Sequence, residues 1–402
     1  MTERMDALML PLPKDWEIKT FRDISTINQG LQIPISQRLK APTEHAKFYI
    51  TIQALNNRKE FEYIKTYNES VVCHKDDILM TRTGNTGMVI TNIEGVFHNN
   101  FFKINFDRTL INKDFLVYFL SLEQTQKTIL KKAGTSTIPD LNHNDSYSLL
   151  IPLPSLNEQS AIADILRALD NYLHALNSLI LKKESIKKAL SFELLSQRKR
   201  LKGFNQAWQR VRLGTYKYRR GSFPQPYGNP QWYSDNGMPF VQVYDVGENF
   251  KLTQKTKQKI SKIAQPMSVF VPKNSVIITL QGTIGRVALT QYDCYCDRTI
   301  LIFDNNTLND VNKYFFVLSL FTKFEEEKRK ADGSIIKTIT KQTLKDFEIF
   351  LPPLNEQSAI ADILSALDKE IASLKNKKRQ FDNIKKALNH DLMSAKIRVL
   401  KK

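Results

Sequence analysis

The polar residues around two glycine-containing turns have the hydrogen-bonding groups that can read the edges of DNA bases. Gly84 and Gly87, and later Gly282 and Gly285, each follow a β-rich run that predicts a strand. Arginine pairs with guanine, asparagine and glutamine pair with adenine, and threonine pairs with several bases. The candidates at these turns are Arg82, Thr83, Asn85, Thr86, Gln281, Thr283 and Arg286. The alternative is a purely structural hairpin whose polar groups face water.

Further candidates for contact with DNA lie outside these turns. The segments after Gly134 and Gly333 offer Ser136 and Lys337, beside Thr135 and Thr338. Arg219 and Arg220 are candidate phosphate contacts, which orient a protein on DNA without specifying the sequence.

Residue patterns for catalysis are missing from the sequence. There is no Gly-x-x-x-x-Gly-Lys-Ser/Thr loop for ATP. Asn229-Pro230-Gln231-Trp232 is only a fragment of an adenine methyltransferase motif, because it lacks the second proline and no glycine-rich S-adenosylmethionine loop precedes it. Cys294-x-Cys296, without a second pair nearby, has poor spacing for zinc. We therefore expect a binding scaffold with no catalytic site and no metal of its own.

The composition favours a polyanionic partner. The 402 residues carry a formal net charge of +18, and the excess of lysine and arginine falls mainly after residue 150. A hydrophobic content of 42% allows sizeable cores. The sequence has no run long enough to span a membrane and no signal peptide, which predicts a cytoplasmic protein.

One stretch occurs twice and organises the chain. LNEQSAIADIL stands at 156–166 and again at 354–364, and IKKAL recurs at the same separation, at 186–190 and 384–388. Ser155 and Glu158 have the spacing of a capping box, and Asn355 is the predicted N-cap of the second copy. Each copy predicts a helix of about forty residues, or about 60 Å.

Apolar residues recur along both predicted helices in a narrow stripe, which is typical of a coiled coil. The packing residues are Ile162, Leu166, Leu169, Leu173, Leu176, Ile360, Leu364, Leu367, Ile371 and Leu374.

The segments before the two helices also repeat, faintly. Trp16 and Trp208 open them, strands are expected over 47–55 and 238–244, and helices over 115–130 and 314–330. The order domain, helix, domain, helix predicts an α+β chain. Its two β-rich domains are separated by a long antiparallel two-helix coiled coil, with an internal pseudo-twofold repeat.

The layout resembles the specificity (S) subunit of type I restriction–modification systems. The residues that carry the resemblance are LPSLNEQSAIADIL at 153–166, LPPLNEQSAIADIL at 351–364, the two Gly-x-x-Gly hairpins and the two tryptophans. The resemblance implies target recognition domains at 1–152 and 205–350, and coiled-coil helical regions at 153–204 and 351–402. Each domain then reads one half of an asymmetric bipartite site in double-stranded DNA, and the helices set the spacing.

The resemblance also implies partners and cofactors. Two methyltransferase (M) subunits dock on the helices, and restriction (R) subunits complete the complex. S-adenosylmethionine, ATP and Mg are expected in those partners and not in this chain. The predicted docking residues are Asn157, Glu158, Gln159, Asn355, Glu356 and Gln357, which could instead cap the helices. The alternative function is a solitary two-headed DNA-binding protein that needs no methyltransferase.

Overall fold

The computed structural model describes residues 12–56, 61–134, 136–247, 249–330 and 341–400. The chain packs into two compact units. The first comprises Met1–Ser178 and Asn376–Lys402, and the second comprises Leu179–Lys375. Each unit therefore combines a β-rich domain with part of each of two long helices. Within the described ranges, no helix combines the length and the apolar character that crossing a bilayer requires.

The elements of the first β-rich domain are short and lead into one long helix. Its strands are β1 Glu17–Thr20, β2 Ser25–Gln29, β3 Lys47–Ile50, β4 Tyr63–Ile64, β5 Val72–Cys73, β6 Ile78–Thr81, β7 Val89–Ile90, β8 Gly95–Phe97, β9 Phe101–Phe106 and β10 Leu150–Leu153. Its helices are α1 Phe21–Ile24, α2 Ile52–Asn56, α3 Lys113–Leu120, α4 Glu123–Ala133, α5 His143–Tyr147 and the long α6 Leu156–Leu195.

The second half repeats this order. Its strands are β11 Gln209–Arg212, β12 Tyr218–Arg220, β13 Tyr233–Val241, β14 Gln258–Ile260, β15 Val269–Val271, β16 Val276–Thr279, β17 Val287–Leu289, β18 Cys294–Cys296, β19 Ile300–Phe303 and β20 Glu348–Leu351. Its helices are α7 Lys313–Lys330, α8 Lys341–Asp346 and the long α9 Leu354–Met393.

The two domains share one sheet topology. The first has sheets ordered β2-β9-β6-β7 and β4-β3-β8-β5, and the second has β12-β19-β16-β17 and β14-β13-β18-β15. In each domain the first strand pairs antiparallel with the strand that precedes the long helix, β1 with β10 and β11 with β20. The predicted internal repeat is therefore present in the pairing of the strands.

A buried glutamine joins each long helix to its own domain. The side-chain oxygen of Gln159 accepts from the backbone N–H of Asn112 at 2.7 Å, and its amide donates to the carbonyls of Leu110 at 3.0 Å and Pro154 at 2.8 Å. Gln357 repeats the arrangement in the second unit. Its oxygen accepts from Asn312 N–H at 2.9 Å, and its amide donates to the carbonyls of Asp310 and Pro352. The glutamine thereby satisfies backbone groups that would otherwise be buried without partners.

A buried glutamate beside each glutamine binds an arginine that follows the other long helix. In the first unit, Arg398 contacts Glu158 at 2.7 and 2.9 Å and Asp15 at 2.9 Å, and Trp16 Nε1 donates to Glu158 at 3.1 Å. In the second unit, Arg200 contacts Glu356 at 3.1 and 2.5 Å. The side chains of Glu158 and Glu356 are only 3% and 1% exposed. We call these the two Glu–Arg clamps.

The long helices pack antiparallel within each unit. In the first unit, Lys385 of α9 pairs with Asp170 of α6, and Tyr172 stacks near Phe381 at 4.7 Å between ring centroids. The partner number falls along α9 as the residue number rises along α6, which is the signature of opposite directions.

The second unit shows the same antiparallel pairing. Lys187 pairs with Asp368, and Lys183 with Glu370 at 2.9 Å. Lys183 and Lys187 interrupt the apolar stripe of α6, and both of them form ion pairs with α9. Tyr314 also donates to Asp368, and burial together with this carboxylate raises the pKa of the Tyr314 hydroxyl.

Four local predictions are wrong. The strand expected over 47–55 ends at Ile50 and gives way to α2, and the strand expected over 238–244 ends at Val241. The helix expected over 115–130 is broken between α3 and α4, where Gln126 bonds the free carbonyl of Leu120 at 2.6 Å. Asn355 is not the N-cap, because α9 begins at Leu354 and the amides of its first turn donate to the carbonyl of Pro353.

We predict that loss of a clamp arginine loosens the start of the opposite helix. Arg398→Met leaves Glu158 buried and without a cation, at a cost of about 3 kcal/mol. Amide hydrogen exchange over residues 156–166 should become roughly a hundredfold faster. Arg200→Met should accelerate exchange over 354–364 less, because Arg200 binds one carboxylate and Arg398 binds two.

The double variant Glu158→Gln/Arg398→Met is the matched control. It removes both charges and should recover most of the protection. Unchanged exchange in Arg398→Met would contradict a structural role for this clamp.

Candidate nucleic-acid interface

Both Gly-x-x-Gly segments form the same tight hairpin turn. Thr81 Oγ1 donates to the carbonyl of Asn85 at 2.6 Å and accepts from Met88 N–H at 2.8 Å. Thr279 makes the same two contacts, to the carbonyl of Thr283 and from Arg286 N–H at 3.0 Å. All four glycines have φ between 63° and 90°, which favours glycine over residues with a Cβ. The glycines are thus structural, and the residue after the first glycine of each turn, Asn85 or Thr283, is exposed at the tip of the turn.

The first turn presents Asn85 and buries Thr86. Asn85 is exposed and adopts φ 61°, which asparagine tolerates. Thr86 is a correction to the predicted DNA contacts, because its hydroxyl is buried and donates to Pro139 O at 2.7 Å. Arg82 is half-buried and paired with Asp140 at 2.7 Å, and Thr83 is also half-buried.

The second turn presents Gln281 and Thr283, which are both exposed. Arg286 is half-buried, and its guanidinium donates to Val246 O at 3.1 Å. The two predicted phosphate contacts, Arg219 and Arg220, are exposed in β12, and Arg219 also donates to Phe270 O at 3.2 Å.

The remaining predicted DNA contacts lie in other loops. Ser136 is exposed and donates to Ile138 O at 2.7 Å. Lys337, Thr135 and Thr338 lie outside the described residues.

The same end of each sheet carries residues that the sequence analysis missed. β2 ends and β9 begins at the end of the sheet from which the first turn leaves, so Gln29 and Asn99 lie at the same end of the sheet as Asn85. In the second domain, Arg298 in the loop before β19 lies at the same end of the sheet as Thr283, together with Arg220, the predicted phosphate contact that ends β12. Gln29 is the last residue of β2, and Asn99 and Arg298 each lie two positions before a strand. These positions become a signal only once the order of the strands is known.

Four of the six predicted docking residues are corrected by their burial. Glu158 and Glu356 belong to the Glu–Arg clamps, and Gln159 and Gln357 hold the buried joints. Asn157 and Asn355 alone among the six are exposed. The Ser155 half of the predicted capping box is present, since its hydroxyl oxygen lies 3.4 Å from Glu158 N–H, whereas the Glu158 carboxylate binds Arg398 and Trp16 instead.

The predicted packing residues divide between two environments. Ile162, Leu166, Ile360 and Leu364 are buried in clusters that combine the core of a β-rich domain with the end of the other long helix, so they pack against the domain as well as against the partner helix. Leu173, Leu176 and Ile371 are buried along the helices, and Leu169, Leu367 and Leu374 are half-buried.

The cysteines lie in apolar surroundings. Burial raises the pKa of Cys73 to about 12 and raises the pKa of Cys296 as well. These two thiols are therefore protonated at neutral pH and are poor nucleophiles. In the described part of the chain, no three His, Cys, Asp or Glu side chains come together as metal ligands.

Comparison with known proteins matches both halves of the chain. The family model of the type I restriction modification DNA specificity domain matches residues 13–188 and 225–381. The putative type I restriction enzyme MjaX specificity subunit of Methanocaldococcus jannaschii is 26% identical, over 96% of this chain and 95% of the relative. The MjaVIII specificity subunit of the same organism is 24% identical, over 97% and 95%.

Solved structures share the fold. The type I restriction–modification S subunit from M. genitalium superposes with a TM-score of 0.62 at 17% identity, over 95% of this chain and 98% of that one. A chain from a structural study of type I R-M complex assembly gives a TM-score of 0.59 at 18% identity, over 96% and 99%. Because the family model covers most of both repeats, the chain belongs to the type I restriction modification DNA specificity family.

Proposed function

We propose that this chain is the DNA specificity subunit of a type I restriction–modification complex. The two β-rich domains, at 1–152 and 205–350, are the target recognition domains, and 153–204 and 351–402 are the helical regions. The observation that carries the proposal is the repeated sheet edge, where one framework presents two different sets of polar side chains. Each edge reads one half of a bipartite site in double-stranded DNA, and the site is asymmetric because the two sets differ.

The charge of the chain supports a polyanionic target. The net charge is +18, and Arg220 is exposed and has no partner among the described residues. Such side chains supply the sequence-independent part of DNA affinity, while the turn residues supply specificity.

Catalysis belongs to partner subunits in this proposal. The methyltransferase subunits bind S-adenosylmethionine, and the restriction subunits use ATP and Mg to cleave DNA. Two methyltransferase subunits dock, one on each copy of the repeated helix start. The exposed positions of that repeat support this stoichiometry. Leu156 and Leu354 are 39% and 47% exposed, and Asn157 and Asn355 are exposed beside them. The buried glutamine contacts explain why the buried positions are the same in the two copies of the repeat. They do not explain why these four exposed positions are also the same.

Modification mapping tests the function. We predict that the chain, expressed with the methyltransferase subunit encoded beside it, produces adenine methylation at a two-part motif with a fixed unspecified gap. Omitting the chain should abolish the motif, as read by sequencing that detects methylated adenines. A folded chain that binds DNA alone and directs no methylation would instead support a solitary DNA-binding protein.

The helices should set the length of the gap. We predict that seven helical residues, inserted after Ser178 and again after Lys375, lengthen each long helix by about 10 Å. The gap in the methylation motif should grow by about three base pairs at 3.4 Å each. An insertion in one helix alone is the control, since it offsets the antiparallel ion pairs and should abolish methylation. An unchanged gap after both insertions rules out the spacing role.

The repeated helix starts should each hold one methyltransferase. We predict that Asn157→Arg removes one of two methyltransferase subunits and that Asn157→Arg/Asn355→Arg removes both, because a bulky charge then faces the docked subunit. Native mass spectrometry of the purified complex measures the stoichiometry. His174→Arg, at an exposed position farther along α6, is the control. Two bound subunits in the double variant would place docking elsewhere.

A further inference from the structure

Matching backbone hydrogen bonds identify equivalent positions at the two sheet edges. Gly30 N–H donates to Phe101 O at 3.2 Å, and Gly221 N–H donates to Ile300 O at 2.9 Å. The residues just before these glycines, Gln29 and Arg220, therefore correspond. A Cβ on either glycine would lie 2.2 to 2.3 Å from two backbone oxygens of the facing loop. The backbone therefore passes equally close to this loop in both domains.

The facing loop supplies a second equivalent pair. His98 N–H donates to Ile50 O at 2.9 Å, and Asp297 N–H donates to Val241 O at 3.0 Å. The next residue in each loop is Asn99 in the first domain and Arg298 in the second.

Two more pairs complete the edge. Asn85 and Thr283 each accept through their carbonyl from the threonine that closes the turn. Gly84 lies against Ile52 and Gly282 against Val243, so the exposed residues that follow, Gln53 and Tyr244, also correspond.

The two edges carry different chemistry on this one framework. The first edge presents only amides, and the second presents two guanidinium groups. The four pairs, first edge before second, are Gln29 and Arg220, Gln53 and Tyr244, Asn85 and Thr283, and Asn99 and Arg298.

Two side chains of the first edge are partly engaged, and two are open. Gln29 and Asn99 are half-buried: Gln29 donates to Asn99 O at 3.4 Å, and Asn99 donates to Gln32 Oε1 at 3.0 Å, while the Asn99 side-chain oxygen is buried without a partner among the described residues. Gln53 and Asn85 are exposed, and their amides can each offer a donor and an acceptor together.

One arginine of the second edge, Arg298, is oriented by an aromatic ring. Arg298 is exposed, and its guanidinium carbon lies 5.3 Å from the centre of the Tyr227 ring. Tyr227 in turn donates to buried Asp297. Stacking on an aromatic ring orients a guanidinium while leaving its N–H groups free to bind a planar acceptor pair.

From these positions we infer that the two domains read different bases. The amide edge of the first domain reads adenine through N6 and N7, and the arginine edge of the second reads guanine through O6 and N7. This inference rests on the proposed function and adds the residues and base types to it. Arg220 and Arg298 are then specificity determinants as well as cations.

Methylation mapping of paired variants tests the inference. Arg220→Gln/Arg298→Gln should relax one or two guanine positions in one half-site by about tenfold each and leave the other half-site unchanged. Gln53→Ala/Asn85→Gly should relax adenine positions in the other half-site only; glycine keeps the positive φ of residue 85. The controls are Lys273→Gln, exposed at the opposite end of β16, and Asn68→Ala, exposed outside the edge, and both should preserve the motif.

A binding measurement separates base contacts from phosphate contacts. The purified complex should bind about tenfold more weakly to a duplex whose second-domain half-site carries 7-deazaguanine, which lacks the N7 acceptor. The 7-deaza replacement should weaken binding of the arginine variant much less than it weakens binding of the unaltered chain, because the variant has already lost the contact with N7. If the arginine variant weakens methylation at all positions equally, its arginines contact phosphates, and the inference fails while the proposed function stands. If the unaltered chain directs no bipartite methylation, both fail.

Discussion

The fold depends on one buried amide in each unit. Gln159 and Gln357 are almost fully buried at the starts of the long helices, and each binds two carbonyls and one N–H of its own chain. Burying such a group is costly unless every bond is made, so the joint between domain and helix has essentially one geometry. The Glu–Arg clamps then attach the segment that follows the other long helix to the same helix start. Domain, helix start and helix end are thereby locked together in each unit.

A fixed joint allows the sheet edge to vary. The hairpin turns, the close approach at Gly30 and Gly221 and the order of the strands are the same in both domains. The side chains at the edge contribute little to packing, because most of them are exposed. Under the proposed function, a change of edge residues would change the bases that are read without altering the repeated sequence LNEQSAIADIL.

The sequence predicted features that are encoded locally. The helix over 156–195 and the Gly-x-x-Gly hairpins follow from periodicity and turn chemistry. Features that depend on distant partners could not be predicted. Glu158 is buried in a pair with Arg398, which lies 240 residues away along the chain. The sequence around Glu158 gives no sign of this partner, so Glu158 was interpreted as a docking residue. Arg298 was missed because its place beside Thr283 depends on strand order, to which a single sequence gives no access.

The central claim is that each domain is an independent reader held by an identical joint. The most direct test is a chain in which residues 205–350 are replaced by a second copy of residues 13–152, expressed with the methyltransferase subunit. The copied domain carries Asn112 and Leu110 to meet Gln357, so the second joint should form as the first does. The account predicts methylation at an inverted repeat of one original half-site. A folded chimera that binds the methyltransferase and still methylates both original half-sites would contradict it.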